Sequence, residues 1–333
     1  MFDRLLDKAK DSDVDKNLAL KILKGARDPS NATRLFETAS RIRDEALGPT
    51  ILCSAGIGDI TPCTLVPNCR YCAIRPKGDF GLPNLAKTAK RMEELGFRQI
   101  HLVGGSRLQG YDDEIIAMVK AVQAATGLGI VVNLGCSLSL EAVRTLKDLG
   151  ILGITSSLET INEDIFRDAK PGDSMEKKKR LLELCEQEGV PIRSMILLGL
   201  GESQEDRIRH IFYAKRFSQL SHLFFSRFYP YPDTAYRHHP RCSPWDVAIT
   251  VAIARLVMPN TNLGLAAGNT TDDIPLWYIA GGGNSIMGAH ISRTPVTPGP
   301  GEQVIKVAED VFIVDRMPIV RRYLEGMGRK IMF

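Results

Sequence analysis

The sequence lacks the long apolar and like-charged runs that mark membrane proteins and nucleic-acid-binding proteins. No apolar stretch approaches the roughly 18 residues of a membrane-spanning helix. The segment Met1–Lys8 mixes acidic and basic side chains, unlike a secretory signal. The net charge is only +4, and the longest basic run, Lys177–Arg180, is equally well explained as a solvated helix face. We therefore expect a cytoplasmic protein that binds neither membranes nor nucleic acids.

The seven cysteines also lack the pattern of a disulfide framework. Their number is odd, and three of them, Cys63, Cys69 and Cys72, lie within ten residues. In a reducing compartment such a cluster favours metal or redox chemistry. No second C-x2-C pair completes a zinc ribbon, so a fourth zinc ligand would have to be Cys53, Cys136 or a histidine. Three thiolates can instead hold an iron–sulfur cluster and leave one iron open to another ligand.

Predicted strands and helices alternate along most of the chain, after a helical segment at residues 1–48. The predicted strands are Ile51–Ile57, Gln99–Val103, Gly129–Asn133, Leu152–Ser156, Pro191–Leu198, His222–Phe228, Asn262–Ala267 and Asn284–Ile286. Such alternation implies parallel strands joined by crossover helices. The length fits an α/β fold of the (β/α)8 TIM-barrel type over residues 49–290, with an open doubly wound sheet as the alternative. Residues 291–333 are expected to form a C-terminal extension that begins with a Pro-rich connection.

Each notable motif follows a predicted strand. The cysteine loop follows the first strand, Gly104–Ser106 the second, Glu159 the fourth and Gly199–Glu202 the fifth. Glycines let a backbone approach a ligand closely, and a carboxylate at the end of a strand points into the barrel mouth. The sequence therefore predicts that these motifs surround one barrel mouth.

These motifs resemble the radical SAM enzymes of the biotin synthase group, which includes the [FeFe]-hydrogenase maturase HydE and methylornithine synthase. The resemblance covers about residues 30–290. The usual family spacing is C-x3-C-x2-C, whereas the spacing here is C-x5-C-x2-C, which is similar to the HmdB branch linked to [Fe]-hydrogenase cofactor maturation. The resemblance implies that Cys63, Cys69 and Cys72 hold a [4Fe-4S] cluster whose open iron binds S-adenosylmethionine (SAM). Electron transfer into SAM would then yield a 5′-deoxyadenosyl radical.

The same resemblance implies which residues bind SAM. They are Tyr71, Gly104, Gly105, Ser106, Glu159, Lys178, Arg180, Gly199 and Leu200. The Gly-Gly-Ser turn is expected to receive the SAM amine, Glu159 to contact its methionine part or ribose, and the Gly199 turn to support the adenine. Lys178 stands where the family has an arginine that holds the SAM carboxylate; lysine supplies the charge but not a bidentate fork. Arg180, two residues on, is expected to face a different side of the helix.

Substrate recognition is predicted from polar residues that could line the barrel. These are Asn133, Cys136, Arg193, Arg227 and Asn269. Arg193 and Asn269 stand where biotin synthase has ligands of a second cluster, so we expect that cluster to be absent; Cys136 is either a small residue in the mouth or an unusual ligand.

We expect an enzyme that acts on a small molecule and takes electrons from a ferredoxin or flavodoxin. The alternatives are a methylornithine-synthase-like or HydE-like enzyme of another pathway, and a non-enzymatic iron–sulfur or zinc-binding barrel.

Overall fold

The chain folds around a closed barrel of eight parallel strands. The computed structural model describes residues 1–11, 13–73, 80–266 and 269–332. The strands are β1 (Thr50–Ile57), β2 (Gln99–Val103), β3 (Gly129–Asn133), β4 (Gly153–Thr155), β5 (Ile192–Leu198), β6 (Leu220–Arg227), β7 (Asn262–Leu265) and β8 (Ser285–Ser292). Each pairs in parallel with the next, and β1 also pairs with β8, which closes the ring. The predicted (β/α)8 barrel is confirmed, and the open sheet is excluded. The predicted end of the seventh strand, Ala267, lies outside the described residues.

Helices surround the barrel and precede it. They are α1 (Phe2–Asp11), α2 (Lys16–Gly25), α3 (Pro29–Leu47), α4 (Leu82–Glu94), α5 (Asp112–Ala125), α6 (Leu140–Asp148), α7 (Glu163–Ala169), α8 (Met175–Glu188), α9 (Gln204–Lys215), α10 (Pro244–Val257), α11 (Ile274–Ile279) and α12 (Met317–Gly326). Four barrel helices begin after a serine whose hydroxyl accepts a backbone N–H of the first turn, namely Ser139, Ser174, Ser203 and Ser243. Such caps satisfy N–H groups that have no partner inside the helix.

The helices α2 and α3 pack on the outside of the barrel wall, against α9, α10 and α11. Arg43 of α3 is buried, and its guanidinium donates to the backbone oxygens of Tyr278 (2.7 Å) and Gly282 (3.1 Å). Among the described residues the longest helix, α3, has 19 residues, and neither it nor a shorter one combines the length and apolarity of a membrane span.

The C-terminal segment adds three strands to the sheet, which the sequence did not predict. β9 (Gln303–Ala308) and β10 (Val311–Asp315) form an antiparallel pair, and β10 also pairs with the extended end of β8. After α12, β11 (Lys330–Met332) pairs in parallel with the start of β1. The tail therefore contacts both β8 and β1, the two strands that meet where the barrel closes.

Because successive side chains of a strand point to opposite faces, the inward-facing residues form layers along the barrel axis. Val103 on β2 and Met195 on β5 line the cavity at the barrel mouth. His101 and Arg193 lie two residues earlier on the same strands and are buried, with Arg193 donating to His101 at 3.1 Å. The Arg193 side chain thus reaches from β5 to β2 beneath the cavity.

Candidate active site at the carboxyl end of the barrel

A cavity of about 340 Å³ lies at the carboxyl ends of the barrel strands. Ten residues that the sequence predicted for a site line it together: Cys63, Cys69, Tyr71, Cys72, Gly104, Gly105, Ser106, Asn133, Glu159 and Lys178. The cavity is also lined by Met195, which the sequence suggested as a residue facing the barrel interior, and by Thr155, Lys170, Asp173 and Ser226, which the prediction omitted. The structure therefore brings the three thiols and most of the predicted SAM-binding residues to one place.

The Gly104–Ser106 turn is hydrogen-bonded to the start of the cysteine loop. Gly105 donates its N–H to the Thr61 oxygen at 3.0 Å, and Thr64 donates to the Ser106 oxygen at 3.0 Å. A Cβ added at Gly105 would lie 2.2 Å from the Cys63 nitrogen and 2.3 Å from its Cα. Glycine is needed at this position because the Cys63 backbone packs directly on it.

The end of the cysteine loop contacts the last turn of α7 and the connection from α7 to α8. The Arg70 N–H donates to the Ala169 oxygen at 2.8 Å, and the Arg70 guanidinium pairs with Asp168 at 2.7 Å. A Cβ added at Gly172 would lie 2.2 Å from the Pro67 oxygen. The stretch between Cys63 and Cys69, which is two residues longer than usual, thus rests on the Gly172 backbone.

Four charged side chains form a network in the cavity wall. Lys170 pairs with Glu159 at 2.5 Å and with Asp173 at 3.0 Å, and Lys178 pairs with Asp173 at 3.4 Å. The Tyr71 hydroxyl donates to Glu159. Although burial works in the opposite direction, Lys178 and Lys170 lower the pKa of Asp173 to about 2. Asp173 is therefore charged, and both carboxylates already pair with ammonium groups.

Sequence reasoning missed two members of this network, Lys170 and Asp173. Burial disfavours the charged form of Lys170, but Glu159, Tyr71 and Asp173 hold the pKa of Lys170 well above its usual value. The available signal was the polar pair that flanks the Pro-Gly turn between the fourth strand and the next helix.

Glu159 has an unusual backbone conformation. Its φ is +68°, a left-handed value that costs a non-glycine residue about 1 kcal/mol or more. Two hydrogen bonds to β5 offset this cost: Glu159 donates to the Met195 oxygen at 3.1 Å, and Leu197 donates to the Glu159 oxygen at 2.9 Å. The carboxylate is thus carried on backbone that is fixed to the barrel wall.

Three of the residues predicted to bind SAM lie away from this cavity. Arg180 is exposed on α8, on a different side from Lys178, as expected. The N–H groups of Gly199 and Leu200 donate to the Glu202 carboxylate at 3.0 and 2.9 Å. The Leu200 side chain is buried with Phe228 in a small separate apolar cluster. The two N–H groups at the start of the Gly-Leu-Gly turn are therefore already bonded to Glu202, the residue that follows the turn.

A second cavity of about 370 Å³ adjoins the first and shares with it Tyr71, Cys72, Glu159, Met195 and Ser226. Aromatic residues from the end of β6 and the loop after it form much of its wall, namely Phe228, Tyr229 and Tyr231, and sequence reasoning did not identify them. Arg227 also lines this cavity and donates to both oxygens of Asp273, at 3.0 and 2.9 Å. The second cavity thus offers flat apolar surface beside the last cysteine.

The predicted substrate residues are dispersed. Asn133 lines the first cavity and Arg227 the second. Cys136 is buried, with its sulfur 3.8 Å from Asp173, and it faces a different cavity of about 240 Å³. Asn269 donates to the backbone oxygens of Phe225 and Ala266, both at 2.9 Å, and Arg193 lies beneath the first cavity. The structure does not gather the five into one site.

The donor set at the mouth fits a cluster held by three thiolates. Cys63, Cys69 and Cys72 face one cavity, and a Lys170 ammonium faces the same space. Among the described residues no three His, Cys, Asp or Glu side chains converge closely enough to hold a single metal ion. A cubane cluster makes a different demand, since each thiolate binds a different iron.

Comparison with known proteins gives the chain its family. The Radical SAM superfamily model matches residues 63–214, which begin at the first clustered cysteine. An uncharacterised protein of Methanocaldococcus jannaschii is 30% identical over 95% of this chain and 88% of its own length. Biotin synthase of Chlamydia pneumoniae is 29% identical over 67% of this chain and 70% of its own length.

A solved structure supports the same assignment at the level of fold. The [FeFe]-hydrogenase maturase HydG from Carboxydothermus hydrogenoformans superposes with a TM-score of 0.82 at 19% identity, over 100% of this chain and 79% of that one. The superfamily comprises enzymes that use a [4Fe-4S] cluster and SAM. The chain is an enzyme of the radical SAM superfamily and belongs to its biotin synthase-like group.

Proposed function

We propose that this enzyme cleaves SAM reductively and serves the biosynthesis of the iron-guanylylpyridinol cofactor of [Fe]-hydrogenase. The observation that carries the pathway assignment is the C-x5-C-x2-C loop, whose longer first half packs on Gly172. Cys63, Cys69 and Cys72 would hold a [4Fe-4S] cluster, which would supply the electron for the reductive cleavage of SAM. A cytoplasmic ferredoxin or flavodoxin is the proposed electron donor.

The charged network suits the amino acid end of SAM. Glu159 and Asp173 offer carboxylates to its amine, and Lys178 and Lys170 offer ammonium groups to its carboxylate. The ion pairs that these side chains make with one another hold them in the cavity before the ligand arrives. Binding therefore exchanges existing charge pairs for new ones, which limits the desolvation cost.

The second cavity suits the adenosine end. Tyr71 lies at the boundary of the two cavities, and its hydroxyl is fixed to Glu159. The rings of Phe228 and Tyr229 continue this wall beside Cys72. Flat aromatic and aliphatic surface of this kind favours a purine ring.

The activity is tested with protein reconstituted anaerobically with iron and sulfide. Reduced wild-type protein should convert SAM to 5′-deoxyadenosine and methionine, and Cys69→Ala should not. Absence of 5′-deoxyadenosine from the fully loaded wild type would overturn the proposed chemistry. Equal turnover in Cys69→Ala would do the same, because the reaction would not depend on the thiol.

The pathway is tested separately in a host that makes [Fe]-hydrogenase. Deletion of the gene should abolish the iron-guanylylpyridinol cofactor, and the wild-type gene, but not Cys69→Ala, should restore it. Normal cofactor levels in the deletion strain would overturn the pathway assignment and leave SAM cleavage intact. That outcome would favour a methylornithine-synthase-like or HydE-like reaction on another substrate.

A further inference from the structure

Arg193 is a buried cation without an acidic partner. Its guanidinium is 3.1 Å from the His101 ring nitrogen and donates to the Gln99 side-chain oxygen at 3.5 Å, while its Nε has no hydrogen-bond partner. In the described part of the chain no carboxylate forms an ion pair with it. Burial lowers the pKa of Arg193 only to about 10, so it stays charged at neutral pH.

The other deeply buried arginines are compensated. Arg227 is paired with Asp273, and Arg43 and Arg255 each donate to several backbone carbonyl oxygens. Among the described residues the Arg193 guanidinium has two side-chain partners, Gln99 and His101, and both are neutral. Burial, aided by Arg193, lowers the pKa of His101 to about 3, so its ring is uncharged. A buried charge is retained in proteins when it is paired, and the missing partner of Arg193 is therefore to be sought in a ligand.

The charged groups in the cavity above Arg193 do not neutralise the positive charge of its guanidinium. Glu159 and Asp173 are matched by Lys170 and Lys178. A cubane held by three thiolates carries a net negative charge and SAM a net positive one, so these two also offset each other. With both bound, the uncompensated charge near the cavity is the guanidinium at its floor.

The floor offers further unused donors. Thr155 lines the cavity and is the register partner of Arg193 on the adjacent strand, and its buried hydroxyl has no hydrogen-bond partner. Asn133 lines the same side of the cavity. Met195, the next inward residue above Arg193, lines the cavity, and its flexible thioether would have to move for the guanidinium to contact a ligand there.

We propose that the cavity floor binds the carboxylate of a small substrate, with Arg193 as its charged partner and Thr155 as a second donor. The inference rests on the proposed function, since it places the substrate beneath the SAM. A carboxylate matches the planar guanidinium fork. The carbon to be attacked then lies nearer the cysteines, toward the mouth.

The test uses the reconstituted holoprotein with saturating SAM and a set of simple probes. Butyrate and propionate should raise the thermal unfolding midpoint in a concentration-dependent way, and the neutral isosteres butyramide and propionamide should not. Inorganic phosphate is the comparison anion. In Arg193→Met the apparent Kd for butyrate should be at least tenfold weaker, because a charge-assisted pair is lost, and Arg193→Lys should retain part of the response. The exposed Arg180→Met is the matched control and should respond like the wild type.

The proposal is overturned if the amides stabilise as well as the carboxylates, or if Arg193→Met binds butyrate like the wild type. Stabilisation by phosphate with none by carboxylates would overturn the choice of anion. Iron content and circular dichroism of each variant show that it is folded and loaded. Formation of 5′-deoxyadenosine by the wild-type preparation is measured in parallel: turnover without a carboxylate response refutes this inference alone, and absence of turnover refutes the proposed function.

Discussion

Replacing Gly172 with alanine tests how the long cysteine loop is held. Gly172 lies in the connection between α7 and α8, and its backbone faces Val66 and Pro67. The added Cβ would lie 2.2 Å from the Pro67 oxygen and 2.9 Å from the Val66 carbonyl carbon. Both are backbone atoms, so rotation of a side chain cannot relieve the overlap. Gly172 has no positive φ, and the perturbation is therefore purely one of space.

The size of the effect follows from the overlap. Because Cβ atoms are essentially never found within 3.0 Å of such atoms, the two loops must separate by about 0.8 Å, the difference between 3.0 and 2.2 Å. Overpacking of this kind costs about 1–3 kcal/mol. In a protein of this size that lowers Tm by only a few degrees. The larger consequence is expected at Cys69, because loss of the support around a metal ligand typically weakens metal binding by about 10- to 100-fold.

The assay is iron per protein after anaerobic reconstitution, measured against a competing chelator, together with Tm. Gly172→Ala should lose iron at chelator concentrations that leave the wild type loaded. Gly58→Ala is the matched control, because it follows β1 in the same part of the chain and its Cβ would meet nothing within 4 Å. Wild-type iron retention in Gly172→Ala would show that the α7–α8 connection does not support the loop.

Three further predictions concern single side chains. Lys178→Ala should weaken SAM binding by tenfold or more while Arg180→Ala does not, as measured by equilibrium binding; equal losses would contradict the placement of Lys178 alone in the cavity. Burial lowers the pKa of His210 to about 3, so the unfolded chain takes up a proton below its usual 6.5 and the folded chain does not. Stability is therefore lost as pH falls: between pH 6.5 and 5 the wild type should lose about 2 kcal/mol more than His210→Leu in denaturant titrations, and parallel losses would refute this. Arg255→Met should cost about 3 kcal/mol in the same titrations, because the buried Gly281 carbonyl and the partly buried Pro259 carbonyl lose their donor; a neutral result would show that water or other groups replace it.

The barrel was predictable because its evidence is local. Apolar runs, helix periodicity and serine caps are properties of short segments, and eight of them in sequence leave few topologies. The gathering of the motifs at one mouth followed from the rule that parallel strands end on the same face. This rule predicts that Glu159 and the Gly104–Ser106 turn lie near one another, and both line the cavity.

The features that the sequence did not predict depend on contacts between distant segments. The pairing of β11 with β1 joins residues some 280 positions apart, and the periodicity of a three-residue strand does not predict it. The same holds for Lys170 and Asp173. Both flank a Pro-Gly turn that local rules describe as surface loop, and the cysteine loop, which is distant in the sequence, packs on Gly172 between them.

The contacts of the cysteine loop connect its length to the electrostatics of the cavity. The loop reaches the α7–α8 connection through Pro67 and Arg70, and that same connection carries Lys170 and Asp173 into the cavity wall. We expect a shorter first half to leave the Gly172 backbone uncovered and the neighbouring ion pairs more exposed to water, which would weaken them. The longer loop therefore packs on the connection that carries the charged network on which the proposed SAM site depends.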